Sequence, residues 1–258
     1  MKISVITISY NSAKTIARTI ESVISQNYSD LEYIIIDGGS TDGTLDIIKK
    51  YGSRITHIVS EPDSGISDAF NKGLKLASGE VTGILNSDDW YEPETLKIVV
   101  SKLADPTADF MVGALRYWDE KGNNFIVYPD KNYQKRISYK MPHLNHPTVF
   151  FKTEVYRSVG LFNPKYHYAM DYDFFLRVFL AGKRVFFVDS VLANMSFSGA
   201  SDKHAIRAYL ESFNIATNKF LAGIYFIYSA SKYYLRQLLI LFKLDHFLLS
   251  IRRSKYKN

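Results

Sequence analysis

The sequence predicts an α/β fold: a mostly parallel sheet with helices on both faces, a mixed second half and a helical C-terminal appendage. Three observations predict it. Over residues 1–103, short β-branched runs alternate four times with segments of helical apolar spacing, the pattern of a parallel sheet covered on both sides. Those runs are nearly all apolar, as strands buried on both faces must be. Past Asp109 strands follow one another more directly, so the second half is mixed.

The elements follow in order. "KISVITISY" is a β-branched run ending in a polar turn, and Asn11 or Ser12 is placed to cap a helix burying Ile16, Ile20, Val23 and Ile24. Ile34–Ile36 is a second strand, Asp37-Gly38-Gly39 a turn, and Leu45, Ile47 and Ile48 mark the next helix. A weaker strand, "ITHIVS", ends at Glu61-Pro62-Asp63-Ser64-Gly65, before a helix with Ile66, Ala69, Phe70, Leu74 and Ala77 on one face. "VTGIL" is the fourth strand, and Pro93 opens a helix carrying Leu96, Val99, Val100 and Leu103. Then come two strands around Lys121-Gly122-Asn123, a strand "HPTVFFK", a helix "MDYDFFLRVFLAG" stopping at Gly182, and a last strand "KRVFFVD".

The 258 residues, 47% hydrophobic and 22% charged, suit one large domain with a small appendage. Residues 1–203 form that domain, with a ligand-binding half at 1–103 and a second half at 104–203. The boundary falls near Ser198–His204. Cysteine is absent, which excludes disulfides and thiolate metal sites. After Lys2 the apolar run is only "ISVITI", so no signal peptide is expected. The net charge of +6 is uneven: eight basic residues and one acid, Asp245, lie between Lys219 and Asn258. The basicity belongs to that tail, and the core domain is slightly acidic.

Ligands of open α/β sheets bind outside the carboxyl ends of the strands. Here those ends carry Ser9-Tyr10-Asn11, Asp37, Asp63-Ser64 and Asn86-Ser87-Asp88-Asp89. Adjacent Asp88 and Asp89 repel, so a positive group is expected near them. No Gly-x-Gly-x-x-Gly follows strand one and no Gly-Lys-Ser/Thr occurs, which disfavours dinucleotide and Walker-type loops. Hard oxygen ligands without cysteine suit Mg²⁺ or Mn²⁺, which is typically shared between one or two carboxylates and substrate phosphates. A nucleoside diphosphate compound is the natural guest.

"SVITISYNSAKTIARTIESVISQ", "IIIDGGSTDGT", "EPDSGISDAFNKGLKLASGE", "GILNSDDWYEP" and "AMDYDFFLRVFLAGK" together resemble the successive signatures of family 2 glycosyltransferases, over roughly residues 2–200. The resemblance implies an inverting enzyme of the glycosyltransferase A fold. It would move a sugar from a nucleotide-diphospho-sugar to a hydroxyl of a saccharide or lipid-linked saccharide, in cell-surface polysaccharide assembly. It implies that Asp37 binds the nucleobase or ribose, beside Ser9 and Asn11. The family's Asp-x-Asp metal motif aligns with Asn86-Ser87-Asp88, so asparagine replaces its first aspartate. Asp88 is the expected main ligand of Mn²⁺ or Mg²⁺, and Asp89 assists it or caps the next helix. Asp171 matches the catalytic base, although Met170 stands where an acid usually precedes it. His146 matches an acceptor-side or diphosphate-side histidine. Asp63, Asp68 and Asn71 are assigned to the donor pocket.

Each assignment has a plainer reading. Asp37 begins a turn, Asp88 and Asp89 are loop and cap, Asp171 is a helix cap rivalled by Asp173, and Asp63-Ser64 is an ordinary turn. Asp68 and Asn71, at helical spacing, face water. His143 and His146 lack a third ligand for a metal. Trp90, Tyr91 and Trp118 stack on sugars or pack in the core. Three other functions each meet part of the sequence. A sugar-phosphate nucleotidyltransferase would need a Gly-rich basic loop after strand one, and "YNSAKTIARTIES" has no glycine. Nucleic-acid binding would rest on the tail, whose aromatics lie in an apolar helical pattern. A glycoside hydrolase would pair Asp88 with Asp171.

Residues 204–258 form the helical appendage. In "KFLAGIYFIYSASKYYLRQLLILFK", Lys232, Arg236 and Lys243 fall within about 40° on a helical wheel. An interfacial helix on an anionic membrane is favoured, with Arg252, Arg253, Lys255 and Lys257 adding attraction. A helix packed on the domain or on a dimer partner, and a true membrane span, are the alternatives. The location expected from these features is cytoplasmic, at the inner face of the membrane.

Overall fold

A computed structural model describes residues 1–119, 122–196 and 204–241. Ser198, Lys121, Arg252 and the other tail positions expected to add charge past residue 241 lie outside them. The elements are β1 (Ile3–Ser9), α1 (Ile16–Ile24), β2 (Leu31–Asp37), α2 (Thr44–Lys49), β3 (His57–Ser60), α3 (Ile66–Leu76), β4 (Val81–Asn86), β5 (Trp90–Tyr91) and α4 (Thr95–Leu103). The second half holds β6 (Phe110–Trp118), β7 (Asn124–Val127), β8 (Val149–Lys152), α5 (Thr153–Val159), α6 (Met170–Leu180) and β9 (Val185–Ser196). Two helices follow, α7 (Ala205–Ile215) and α8 (Lys219–Leu241).

The strands form one sheet in the order β3-β2-β1-β4-β8-β6-β9-β5, with β7 beside β6. β1 to β4 are parallel, so their carboxyl ends share an edge. β8 runs antiparallel to both β4 and β6, and β9 runs parallel to β6. The start of β8 and the ends of β6 and β9 therefore reach that same edge. This geometry makes the mixed second half an extension of the first sheet.

Alternation along the strands builds two cores. Ile6, Ile8, Ile34 and Ile36 pack with α3, α5 and α6 on one face. Ile3, Val5, Tyr33 and Ile35 pack with α1, α2 and α4 on the other. Gly73 of α3 lets that helix approach β1, since a Cβ there would lie 2.4 Å from Ile6 Cγ2. β3 departs from the expected burial: it is short, pairs only with β2, and exposes most of its residues. The entry to α1 also differs from expectation. The Ser12 carbonyl accepts the Thr15 and Ile16 amides at 3.0 Å each, while the Ser12 hydroxyl turns to Ser87. Ile215, Ala216 and Ala222 are buried in the α6-side core, so α7 and the start of α8 pack on the domain.

Candidate active site

The loops leaving the parallel strands are tied to one another by short polar side chains. Asn11, at φ 47°, accepts the Thr41 amide on its side-chain oxygen, and the Ser40 hydroxyl accepts the Asn11 amide. Ser12 and Ser87 join the loops after β1 and β4 at 2.7 Å. Ser87 therefore helps to hold the loop.

Asp37 is held within its own loop. It is fully buried at the end of β2, and both carboxylate oxygens are occupied. Ser9 Oγ and Ser40 Oγ donate to Oδ1, and Ser60 Oγ (2.8 Å), the Ser40 amide (2.9 Å) and the Gly39 amide (3.2 Å) donate to Oδ2. A carboxylate has about four lone-pair sites, and five donors use them up. Burial pushes the Asp37 carboxyl up, but the bonds from Ser40, Ser60 and Ser9 outweigh it and hold the group below the usual range. Asp37 and Ser9 thus shape the loop from inside.

Asp63 lies against the same turn. The next residue after Asp37 is Gly38, and a Cβ there would lie 2.5 Å from Asp63 Oδ2 and 3.4 Å from the Tyr10 ring. Asp63 Oδ1 accepts the Gly65 amide at 2.9 Å. The Tyr10 ring is 66% exposed beside this carboxylate. Two other residues expected in the donor pocket make contacts within the protein. Asn71 exchanges both amide atoms with the Phe162 backbone, at 2.8 and 3.0 Å. Asp68 accepts the Ser64 amide at 3.1 Å and lies 3.7 Å from Lys72 Nζ, so it braces the first turn of α3.

Asp88 and Asp89 part company although they are neighbours in sequence. Asp89 is fully buried. Burial and the adjacent Asp88 charge raise its carboxyl well above the ordinary value, against the Asn86 bond and Arg18. Its Oδ1 has no hydrogen-bond partner, and its Oδ2 accepts only Asn86 Nδ2 at 3.3 Å. Asp89 is thus sealed within the protein, whereas its neighbour is not. Asp88 is half-buried, and its carboxylate accepts no hydrogen bond from the described residues. The expected positive group is Arg18 of α1, whose Nη2 donates to the Asp88 carbonyl at 3.0 Å. Its guanidinium lies 3.5 Å from the centroid of Trp90. The repulsion of the two acids signalled a cation, but no local spacing could say that α1 supplies it.

No group of three or more acids or histidines that could enclose a metal occurs among the described residues. One free carboxylate with Asn86 beside it fits a Mg²⁺ or Mn²⁺ that keeps waters and is shared with substrate phosphates. It does not fit an all-protein cage.

On the α3 side, His146 precedes β8 and therefore sits at the ligand edge. Its ring stacks on Phe70, with centroids 4.9 Å apart at 10°. His146 Nδ1 is 3.2 Å from Oδ1 of Asp171, in the first turn of α6. His146 Nε2 and Asp171 Oδ1 are buried without hydrogen-bond partners. The rival Asp173 is instead bonded to Arg177 at 3.0 Å. The structure thus brings Asp171 and His146 together and commits Asp173 to its own helix.

Beyond Asp88, Trp90 and Trp118 meet with ring centroids 6.1 Å apart. They line a cavity of about 340 Å³ with Arg18, Asp119, Gly122 and Ser196. Tyr91 is buried and packs on Phe150 instead.

Comparison with known proteins matches the chain to the family described as Glycosyl transferase family 2 over residues 4–160. The chain is 33% identical over 180 residues to chondroitin synthase of Pasteurella multocida, covering 67% of this chain and 18% of that protein. It is 28% identical over 229 residues to an uncharacterised glycosyltransferase of Rickettsia typhi, covering 85% of this chain and 71% of that protein. Among solved structures, S. aureus TarS 1–349 in complex with UDP-GlcNAc superposes with a TM-score of 0.63 at 21% identity, over 90% of this chain and 71% of that one. The mannosyltransferase PcManGT from Pyrobaculum calidifontis, in complex with GDP-Man and Mn²⁺, gives 0.66 at 19% identity, over 99% and 81%. The chain therefore spans under a fifth of the chondroitin synthase.

Proposed function

The chain belongs to glycosyl transferase family 2 and is a glycosyltransferase; from that premise we propose that it transfers a sugar, with inversion, from a nucleotide-diphospho-sugar to a hydroxyl of a saccharide or lipid-linked saccharide. The observation that carries this reading is the division of labour along one sheet edge. The exposed Tyr10 and the Asp63 carboxylate lie together beside the ends of β1 and β2, a free carboxylate follows β4, and a second carboxylate beside His146 projects from α6.

In this reading Asp63 accepts hydrogen bonds from the base or ribose, and Tyr10 stacks on the base. Asp37, Ser9, Asn11 and Ser87 hold the loops that shape this pocket. Asp88, with Asn86, would hold Mg²⁺ or Mn²⁺. When bound, the cation neutralises charge that builds on the departing diphosphate. Asp171 accepts the proton of the acceptor hydroxyl, and His146, against Asp171 Oδ1, orients that carboxylate. The new bond joins the acceptor oxygen to the anomeric carbon as the bond from that carbon to the phosphate oxygen breaks. The proton passes to Asp171 and the nucleoside diphosphate leaves. The transition state is oxocarbenium-like, as in other glycosyl transfers.

The acceptor reading takes in the tail. α8 exposes Phe220, Ile224, Ile227, Tyr234 and Leu238, spaced three and four residues apart along much of the helix. No helix among the described residues is long and apolar enough to cross a membrane. An apolar helix face followed by a basic segment suits the surface of an anionic membrane, where a lipid-linked acceptor would be met. Flotation of the whole chain with anionic and neutral vesicles tests this; equal absence from both would remove it.

The main reading is tested by calorimetry with UDP, GDP and dTDP, with and without Mn²⁺. The expected result is Mn²⁺-dependent binding of one of them. Absence of binding by all three would overturn the assignment. Asp171→Asn is expected to keep that binding and lose transfer.

A further inference from the structure

The helix that carries Asp171 begins without a cap of its own. Its N-cap is Ala169, which has no side chain to offer the free amides at the helix start. The amides that lead into the helix are held instead by a distant part of the chain. Glu211 of α7 places Oε2 at 2.8 Å from the Tyr168 amide and 2.9 Å from the Ala169 amide, and both its oxygens lie 3.1 Å from the His167 amide. Three successive N–H groups thus close on one carboxylate, two to four residues before Asp171.

The rest of the loop before α6 is held by other groups. Asn71 pins Phe162, Ser67 Oγ donates to the Tyr166 carbonyl at 3.1 Å, and Arg177 donates to the carbonyls of Val159, Gly160 and Leu161. His167 also lies beside the donor-side loop, with Nδ1 3.6 Å from where a Cβ on Gly65 would stand. Asn71 and Ser67 of α3 and Arg177 of α6 hold the carbonyl side and the early part of the loop. The amides of residues 167–169, which lead into α6, depend on Glu211. α7 is itself anchored, since Ile215 and Ala216 are buried in the core and the Asn218 amide donates to the Ser138 carbonyl at 2.8 Å. The His204 ring adds a contact with Tyr168 at 5.1 Å.

We propose that Glu211 is a positioning residue for sugar transfer: its carboxylate sets the start of α6, and so fixes where Asp171 meets the acceptor hydroxyl. This rests on the reading of Asp171 as the base. It makes the first helix of the appendage a working part of the active site. Glu211 acts through three backbone amides, and small displacement of a reacting group is enough to slow the chemistry strongly.

The test measures nucleoside diphosphate release from a panel of UDP-, GDP- and dTDP-sugars with Mn²⁺. The donor turned over fastest is used for kcat and KM. Binding of the matching nucleoside diphosphate is measured by calorimetry. Glu211→Ala is expected to lower kcat about 10- to 100-fold, and Glu211→Gln, which keeps one accepting oxygen, by less. Both should bind the nucleoside diphosphate within about twofold of the parent, because the donor pocket is held by other loops. Unchanged kcat in both variants would overturn the proposal. So would parallel loss of kcat and nucleotide binding in Glu211→Gln, which would mark a general scaffold role. Should Asp171→Asn still transfer sugar, the base assignment itself fails, a result separable from any failure at Glu211.

Discussion

Replacing Gly38 by alanine separates the two acids that compete for the nucleoside. The new Cβ would lie 2.5 Å from Asp63 Oδ2, 3.3 Å from Asp63 Cγ and 3.4 Å from the Tyr10 ring. Contact at 2.5 Å is impossible, so the Asp63 carboxylate must turn away; it is the end of a side chain and can do so cheaply. Gly38 does not have a positive φ, so the backbone accepts alanine. Stability should change by less than about 1 kcal/mol, since the lost chain entropy of glycine offsets part of the local shift. Asp37 stays bonded within its loop and is untouched. A hydrogen bond to a charged group contributes about 1.5–3 kcal/mol, so Kd for the preferred nucleoside diphosphate should rise about 10- to 100-fold. Calorimetry for Kd and a thermal melt for stability, run on the same preparation, decide it. A Gly38→Ala protein that binds nucleotide normally would refute the assignment to Asp63. A large fall in Tm would show that Gly38 serves the fold instead.

Further outcomes follow from the same geometry. Asp88→Asn should abolish the Mn²⁺ dependence of nucleotide binding, whereas Asp89→Asn should keep it; equal loss in both, by calorimetry with and without Mn²⁺, would return Asp89 to the metal site. Trp118→Ala opens the cavity beside Trp90 and should weaken use of a saccharide acceptor while leaving nucleotide Kd unchanged, read from acceptor KM. Glu32 supplies the pH prediction. Burial pushes its carboxyl up, yet the bonds from Lys2, Ser4 and Ser78 hold it down at about 2. Its contribution is therefore present above the unfolded value of about 4.5 and is lost as pH falls from there towards 2, on the order of 3 kcal/mol in all. Melts from pH 7 to pH 2 should show a steeper loss for the parent than for Glu32→Gln; parallel curves would count against it.

Much of the fold was legible because its information is local. Four apolar runs alternating with helical spacing specify parallel strands and covering helices, and the observed sheet follows that plan through β4. Gly182, at φ 66°, ends α6 as its position implied. β5 was illegible, since two residues carry no periodicity, and so was the exposure of β3, which depends on there being no neighbour beyond it. The set of edge residues was likewise readable: Ser9, Asn11, Asp37, Asp63, Asn86, Asp88, His146 and Asp171 all lie in strand-end loops or at an element's first or last turn.

Which of those side chains still has an open valence could not be read. Asp37 and Asp63 look alike in the chain, as do Asp88 and Asp89. Only three-dimensional packing turns Ser40, Ser60 and Ser9 onto Asp37, seals Asp89 in the core and leaves Asp63 and Asp88 half-buried. The same holds for Arg18, Tyr10 and Glu211, whose roles come from partners up to 70 residues away, such as the Asp88 carbonyl for Arg18. The sequence alone determined the secondary elements, the sheet's polarity and the rim on which chemistry gathers, because apolar periodicity is a property of neighbouring residues. The tertiary structure decided which atoms on that rim are free to react, because a hydrogen bond uses up an oxygen only when some remote segment is folded against it.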